Sequence, residues 1–383
     1  MEVHPLPGFE GRRGMEGWLL VWLWGSSTGA TLARAGTQAL AWPYGAGVRL
    51  YRRLYEEGWL PRHSLPRPVV SVGNLTLGGT GKTPCVLWLA RWLQGRGRRV
   101  SVLLRGHRRR GRKPWQVVSD GERLIGTPSE VGDEAYLLAA KLPGTAVVVG
   151  KRREVTGQWA IAEWGAEVVL LDDGFQYWPL SKTRDIVLLD ALEPPGRLRL
   201  FPAGTLREPW EHLRYAHEFW LTRVESAPSP SSEEWEAFLQ DRFPHHPLRR
   251  VEQRVVGMYP LRHDAQGRPL LAPQEKMGPE SLQGQSVAAF CGIGRPLAFV
   301  HTLLRLGPSR LWVAFFPDHH PYSPREVEAV AQAAQKARAQ WLLTTEKDAA
   351  RCPPTRAALP VWVLEIDVAL FPEPSEEELL SPA

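Results

Sequence analysis

Residues 69–84 read Val-Val-Ser-Val-Gly-Asn-Leu-Thr-Leu-Gly-Gly-Thr-Gly-Lys-Thr-Pro, an apolar strand running into a glycine-rich loop that closes on Lys82 and Thr83. Gly78, Gly79 and Gly81 lack Cβ, so consecutive backbone N–H groups can turn inward on one anion. Lys82 adds a mobile positive charge for the outer phosphates of a nucleotide, and the Thr83 hydroxyl is placed to ligate Mg²⁺. Beyond the loop, Val86, Leu87, Leu89, Ala90 and Leu93 fall at helical spacing and Gly95 ends the run. The loop therefore sits at a helix N-terminus, where the dipole favours phosphate. A strict P-loop has glycine at the position of Thr76. The order of strand, loop, Gly-Lys-Thr and helix still predicts a nucleotide site built from Thr76, Leu77, Gly78, Gly79, Thr80, Gly81, Lys82 and Thr83.

Outward from this segment the pattern alternates. Strands are predicted over 99–104, 145–149, 167–172 and 185–190, with helices over 133–141 and 153–164 between them. Such alternation means right-handed crossovers and a parallel sheet covered on both faces. Serine, proline and glutamate at 226–236 mark a break, after which strands at 286–291, 311–316, 341–345 and 360–366 and helices at 296–306 and 323–339 read as a smaller α/β domain. The expected organisation is a leader and helical segment over 1–57, a P-loop kinase domain over 58–225, a linker over 226–250 and the C-terminal domain over 251–383. Residues 1–13 read as an unstructured leader and 372–383 as a frayed acidic tail.

At 383 residues the chain has room for two cores, and its formal charge of +6 suits anionic partners. Three scattered cysteines without a C-x-x-C pair indicate a reducing compartment and no disulfide framework. No charge occurs from Gly17 to Ala33, where Trp18, Trp22 and Trp24 punctuate an apolar run, nor from Ala35 to Val48, ahead of Arg49, Arg52 and Arg53. Interrupted at Gly25–Gly29, the segment is a marginal membrane spanner, and it lacks a signal-peptide cleavage pattern. An ordinary core helix is one reading; a helix anchored at the cytoplasmic face of a membrane suits the tryptophans and arginines better.

Val168–Gly174 is an apolar strand ending in Asp172 and Asp173, the place from which a carboxylate holds the Mg²⁺ that bridges the β and γ phosphates. Asp133 opens a helix, as a cap or as a base for a substrate hydroxyl. In Asp318-His319-His320 the adjacent histidines point apart, which disfavours a shared metal; an Asp-His pair could share a proton, or both histidines could be solvated. The arginine-rich loop from Arg105 to Lys113 lacks the interleaved aromatics of a nucleic-acid surface, so nucleic acid is not an expected partner. Arg153, Arg207 and Glu208 lie near predicted strand ends, where clefts form in α/β sheets. Thr345-Glu-Lys-Asp348 does not have the spacing of a guanine-reading motif, which favours ATP over GTP.

Taken together, Val72-Gly-Asn74 with Gly78–Pro84, Arg105-Gly, Val131-Gly-Asp-Glu134, Asp172-Asp-Gly-Phe-Gln176, Pro202-Ala-Gly204 with Leu206-Arg-Glu-Pro209, Gly292-Ile-Gly294, Asp318-His-His320 and Thr345-Glu-Lys-Asp348 resemble the tetraacyldisaccharide 4′-kinase family of lipid A biosynthesis. His107, Ala135, Tyr177 and Thr205 depart from its usual residues. The resemblance implies ATP- and Mg²⁺-dependent phosphorylation of the 4′-hydroxyl of a tetraacylated glucosamine disaccharide 1-phosphate. It further implies a location at the cytoplasmic face of the inner membrane, with no obligate protein partner. It makes Asp133 and His319 a catalytic pair bridging two domains, Asp172 and Asp173 with Thr83 the metal ligands, and Asn74, Arg105, Arg153, Arg207 and Glu208 substrate contacts. A P-loop ATPase switch without a hydroxyl acceptor is the alternative from another class; a small-molecule kinase is a second.

Overall fold

Val69–Asn74 is buried at every position, as a strand covered on both faces of a parallel sheet must be, which is why its sequence shows no alternation. It runs parallel to Val168–Asp172 on one side and Arg184–Asp190 on the other. Val100–Leu104 and Ala146–Gly150 extend the first side in parallel, and Trp115–Asp120 closes it as an antiparallel edge. Glu218–Thr222 and then Leu248 to Val251 extend the other side. Helix Lys82–Gln94 follows the P-loop strand and ends on Gly95, whose N–H reaches the carbonyls of Arg91 and Leu93. One sheet face packs Leu103, Val148, Ala160 and Leu171; another cluster gathers Leu75, Phe175, Leu189, Phe219 and Trp235. These elements form one unit, made of Gly25–Ile125, Leu142–Gln253 and Val368–Ala383.

The other unit comprises Met1–Trp24, Gly126–Lys141 and Arg254–Asp367. Its parallel strands run in the order Val3–Pro5, Arg310–Phe315, Ser286–Cys291, Trp341–Thr345 and Val361–Phe371, the last continuing into the P-loop unit. Helix Pro324–Lys336 begins with a capping box of Ser323 and Glu326 and buries Val327, Val330, Ala331 and Ala334. The structure, a computed structural model, describes residues 3–9, 28–107, 109–111, 113–227, 230–273 and 275–381, without the side chains of 28–35. The Trp18 to Trp24 run lies outside the described residues.

Four expectations are corrected. The presumed leader contains Val3–Pro5, an edge strand paired with Leu311–Val313, and Leu6 beside it is fully buried. The presumed linker contains helix Ser231–Arg242, which buries Trp235 and Leu239; its Ser/Glu-rich outer face hid that stripe. The presumed frayed tail holds helix Glu376–Leu380, with Leu379 fully buried and Arg98 and Arg249 binding Glu376 and Glu378. Finally, residues 126–141 group with the C-terminal unit and 368–383 with the P-loop unit, so the boundaries read linearly from sequence are interleaved in space.

Candidate active site

At the P-loop, the chain turns through Gly78 at φ 104° and Gly81 at φ 88°, conformations that a Cβ disfavours. Thr76 needs no such freedom: it bridges antiparallel to Leu206, and its carbonyl accepts from the Asn74 side-chain amide at 2.8 Å. Threonine is therefore tolerated where the strict pattern has glycine. A Cβ on Gly79 would meet nothing within 4 Å, so the loop mouth is open, and the Thr80 hydroxyl is buried there without a hydrogen-bond partner. The loop is held from behind. Thr222 Oγ1 donates to Thr80 O at 2.9 Å, and Arg223, itself paired with Asp190, donates to Gly79 O.

Strand pairing sets Asp172 across from Val72, and its side chain is buried. Asp173 follows in the left-handed conformation at φ 56°, in a turn pressed against the P-loop strand: a Cβ on Gly73 would stand 2.5 Å from Phe175 Cβ. Arg207 grips Asp173 through two bonds of 2.8 and 3.1 Å and also reaches Asn74. Lys82 Nζ lies 3.1 Å from Asn74 Oδ1 and 3.6 Å from Asp173. Burial works to raise the Asp173 carboxyl, but the charges of Lys82, Arg207 and Arg153 hold it far below the usual carboxylate range. Arg153 is buried, 3.4 Å from the carbonyls of Asp172 and Asp173, with its guanidinium 4.6 Å from the Tyr177 ring. Tyr177 also accepts the Arg153 N–H and donates to Glu154, so this departure from the family residue serves to seat Arg153. Arg105 is exposed just past its strand. Glu208 is committed elsewhere, buried against His212 Nδ1 at 2.8 Å.

Asn74, Lys82, Asp173 and Arg207 thus meet at the carboxyl ends of central strands, where parallel sheets bind ligands, with Thr83 and Asp172 their neighbours in the chain. The donor set fits Mg²⁺: a buried threonine hydroxyl and neighbouring carboxylates, with phosphate oxygens and water left to complete the shell.

A second centre is built wholly within the other unit. Gly132, at φ 97°, breaks the turn Pro128–Val131 from helix Asp133–Lys141, so Asp133 opens that helix. One carboxylate oxygen, Oδ1, takes the N–H of the next residue, Glu134, at 3.0 Å; the other, Oδ2, meets His319 Nδ1 at 2.8 Å. Burial pushes the Asp133 carboxyl up, but the His319 hydrogen bond and the charges of His319, Arg351 and Lys347 bring it down to about 2. The Asp133 hydrogen bond raises His319 against the opposing effect of burial. His319 has φ 59°, and its N–H is fixed on Gly292 O at 3.0 Å. A Cβ on Gly292 would come within 2.8 Å of Pro317 O and 3.0 Å of Tyr322 Oη, so glycine is needed for that loop to close in. Lys347 Nζ pairs with Glu134 at 2.6 Å. Four stretches far apart in the chain, around 133, 292, 319 and 348, therefore make one constellation. The pairing expected between two domains lies inside one, because residues 126–141 join the C-terminal unit.

The profile described as Tetraacyldisaccharide-1-P 4'-kinase matches residues 34–382. This chain belongs to that family. A tetraacyldisaccharide 4'-kinase of Anaeromyxobacter dehalogenans strain 2CP-1 is 40% identical over 348 residues, 90% of this chain and 88% of that one. The Syntrophus aciditrophicus protein of the same name is 37% identical over 353 residues, 88% and 89% of the two chains. The crystal structure of the "apo" form of LpxK from Aquifex aeolicus in complex with ATP matches with a TM-score of 0.68 and 29% identity, covering 90% of this chain and 96% of that one. Two features of this member of the family escaped sequence reading. The Arg223–Asp190 brace behind the P-loop left only a weak trace, an aspartate and a threonine ending apolar strands at 190 and 222. Arg351, which approaches Asp133 Oδ2 at 3.5 Å, left none.

Proposed function

We propose that the protein transfers the γ-phosphate of ATP to the 4′-hydroxyl of a tetraacylated glucosamine disaccharide 1-phosphate. The observation that carries this reading beyond family membership is the buried Asp133 carboxylate in contact with His319. It supplies a hydroxyl-directed acceptor in a protein whose other unit has the nucleotide loop. Thr83, Asp172 and Asp173 would hold Mg²⁺, which would supply charge neutralisation for the transferring phosphate. The backbone N–H groups of Thr76 to Gly81 cradle the phosphates, and Lys82 follows the transferring group. Arg207 and Arg153, with Asn74, set the Asp173 carboxylate and place cations where charge develops. Arg105, exposed at a strand end, suits the acceptor's 1-phosphate, and Glu208 steadies the loop that carries Arg207. A carboxylate near pKa 2 is a weak base in the ground state. In a loose phosphoryl transition state the acceptor proton leaves late, so Asp133 needs first to orient the hydroxyl and only then to take the proton, with His319 offsetting its charge.

The same proposal gives helix Thr28–Glu56 a role. Its inner face is anchored by Ala41 and Tyr55 and by Arg52, which lies over the Tyr215 ring at 3.1 Å. Its outer face shows Leu40, Trp42 and Leu50 at 61, 80 and 60% exposure, flanked by Arg49 and Arg53. Among the described residues no helix is long and apolar enough to cross a membrane. An apolar stripe with adjacent arginines suits attachment to an anionic bilayer surface, the cytoplasmic face of the inner membrane, where a lipid acceptor lies. The test is transfer from γ-labelled ATP. Label in a 4′-phosphorylated lipid, with ATP consumption that depends on the acceptor, is the expected result. ATP hydrolysis that ignores the lipid disaccharide would favour a nucleotide switch instead.

A further inference from the structure

Arg351 lies three residues beyond Asp348, in a stretch that the proposed reaction leaves without a task. Its side chain is 10% exposed, and its Nε stands 3.5 Å from Asp133 Oδ2, the oxygen that also meets His319. The far end of the guanidinium is pinned: Nη2 donates to Asp348 Oδ1 at 2.6 Å and to Gly292 O at 2.9 Å. Asp348 is wholly buried and collects donors from every side. The Gly292 N–H and Tyr322 hydroxyl reach Oδ1 at 2.9 Å each, and the Thr345 hydroxyl reaches Oδ2 at 2.6 Å. A planar guanidinium gripped at Nη2 by so enclosed a carboxylate, with its Nε–H donated to Lys347 O at 3.2 Å, has little rotational freedom left, so its positive charge is held beside Asp133 Oδ2 in a fixed place. Gly292 ties the parts together, since its carbonyl accepts from both Arg351 and the His319 backbone.

We infer that Arg351 is a positioning residue for the phosphoryl transfer, fixing Asp133 Oδ2 beside His319 and sharing its charge, and that Thr345-Glu-Lys-Asp348 is the mount that holds the arginine. The inference rests on Asp133 being the group that handles the acceptor proton. With Arg351 in place the Asp133 charge is offset by more than His319, so His319 does not have to carry a full positive charge for the carboxylate to stay ionised. Lys347 adds its charge as well, but its ammonium is engaged by Glu134 at 2.6 Å. The charged groups around Asp133 are His319 and its neighbour Asp318 from one loop, Arg351, Lys347 and Asp348 from another segment, and Glu134 on its own helix. Taking away one cation from this set raises the titration of both Asp133 and His319.

The experiment uses the full chain with ATP and a detergent-dispersed tetraacyl disaccharide 1-phosphate, and compares wild type with Arg351→Met, Arg351→Lys, Arg351→Gln and Asp133→Ala. Arg351→Met should lower kcat by about tenfold or more while the KM for ATP stays within about twofold, as expected for a displaced reacting group. The acid limb of kcat and the NMR titration of the His319 ring should both move up by about one unit, the effect of losing a cation at this range. Arg351→Lys, which keeps the charge, should restore most of both. If Arg351→Met does not fold, Arg351→Gln keeps a hydrogen bond for Asp348 without the charge and should show the same upward shift. A folded Met or Gln variant with an unmoved His319 titration, whatever its kcat, overturns the inference and leaves Arg351 a structural residue. Wild-type kcat in Asp133→Ala is a different outcome: it overturns the role of Asp133 itself.

Discussion

Asp133 and His319 act on each other before they act on anything else, and their titrations say how. Asp133 is held at about 2, so its stabilising contribution is present above the ordinary carboxylate range and is lost as pH falls through the folded value. His319 is raised above its ordinary 6.5, so its contribution is complete below that pH and is lost as pH rises through the folded value. The denaturation midpoint of wild type should therefore exceed that of His319→Gln most clearly around pH 5 to 6, and the gap should narrow in alkali. A gap that widens with pH would contradict the assigned charges. In catalysis the pair should behave as a unit: Asp133→Ala and His319→Ala each lower kcat, and the double variant loses little beyond the worse single one. Fully additive losses would separate them. Gly292 belongs to the same scale. Gly292→Ala forces a methyl into the space held by Pro317 O and Tyr322 and should cost about 1–3 kcal/mol in urea unfolding. Such a contact is invisible in sequence, where Gly292-Ile-Gly294 reads only as a turn.

At the level of elements, the P-loop is a strand, a turn and a helix backed by the ends of two neighbouring strands. Lys82→Ala should cut turnover by several orders of magnitude, about the loss seen when a main transition-state cation goes. Arg223→Met should act more gently, because it frees the Gly79 carbonyl without touching the phosphates: the KM for ATP rises by about tenfold, while kcat at saturating ATP falls less. Equal losses in both parameters would mean that Arg223 acts in the chemical step. Helix Glu376–Leu380 shows why short amphipathic segments are misread. Three glutamates conceal one buried leucine and two anchored carboxylates. Leu379→Ala should cost about 2–3 kcal/mol, measured by urea unfolding of the intact chain, whereas a frayed tail would give none.

Across the whole molecule, the elements with strong local signals were legible. The P-loop strand and its helix, and the strands at 286–291 and 341–345, follow from apolar runs bounded by glycine and polar turns. What sequence could not supply was which segments share a unit. Residues 126–141 have an ordinary helical pattern, and nothing local says that Leu137 and Leu138 bury themselves in the C-terminal unit. Hence no local pattern joins Asp133 to its partners: only the family resemblance points to His319, and nothing in the sequence points to Arg351. Long-range pairing also explains the missed strands Val3–Pro5 and Leu248–Pro260, whose sequences carry no clear alternation. The central claim is that one unit holds the nucleotide while Asp133 of the other handles the acceptor hydroxyl. The direct measurement is a rapid-quench single turnover of Asp133→Asn at saturating ATP and acceptor, alongside its ATP affinity by fluorescence titration. The account predicts ATP binding within about twofold of wild type and a transfer step slowed by about 10²–10⁴. A transfer step at the wild-type rate, or a loss explained entirely by weaker ATP binding, would contradict it.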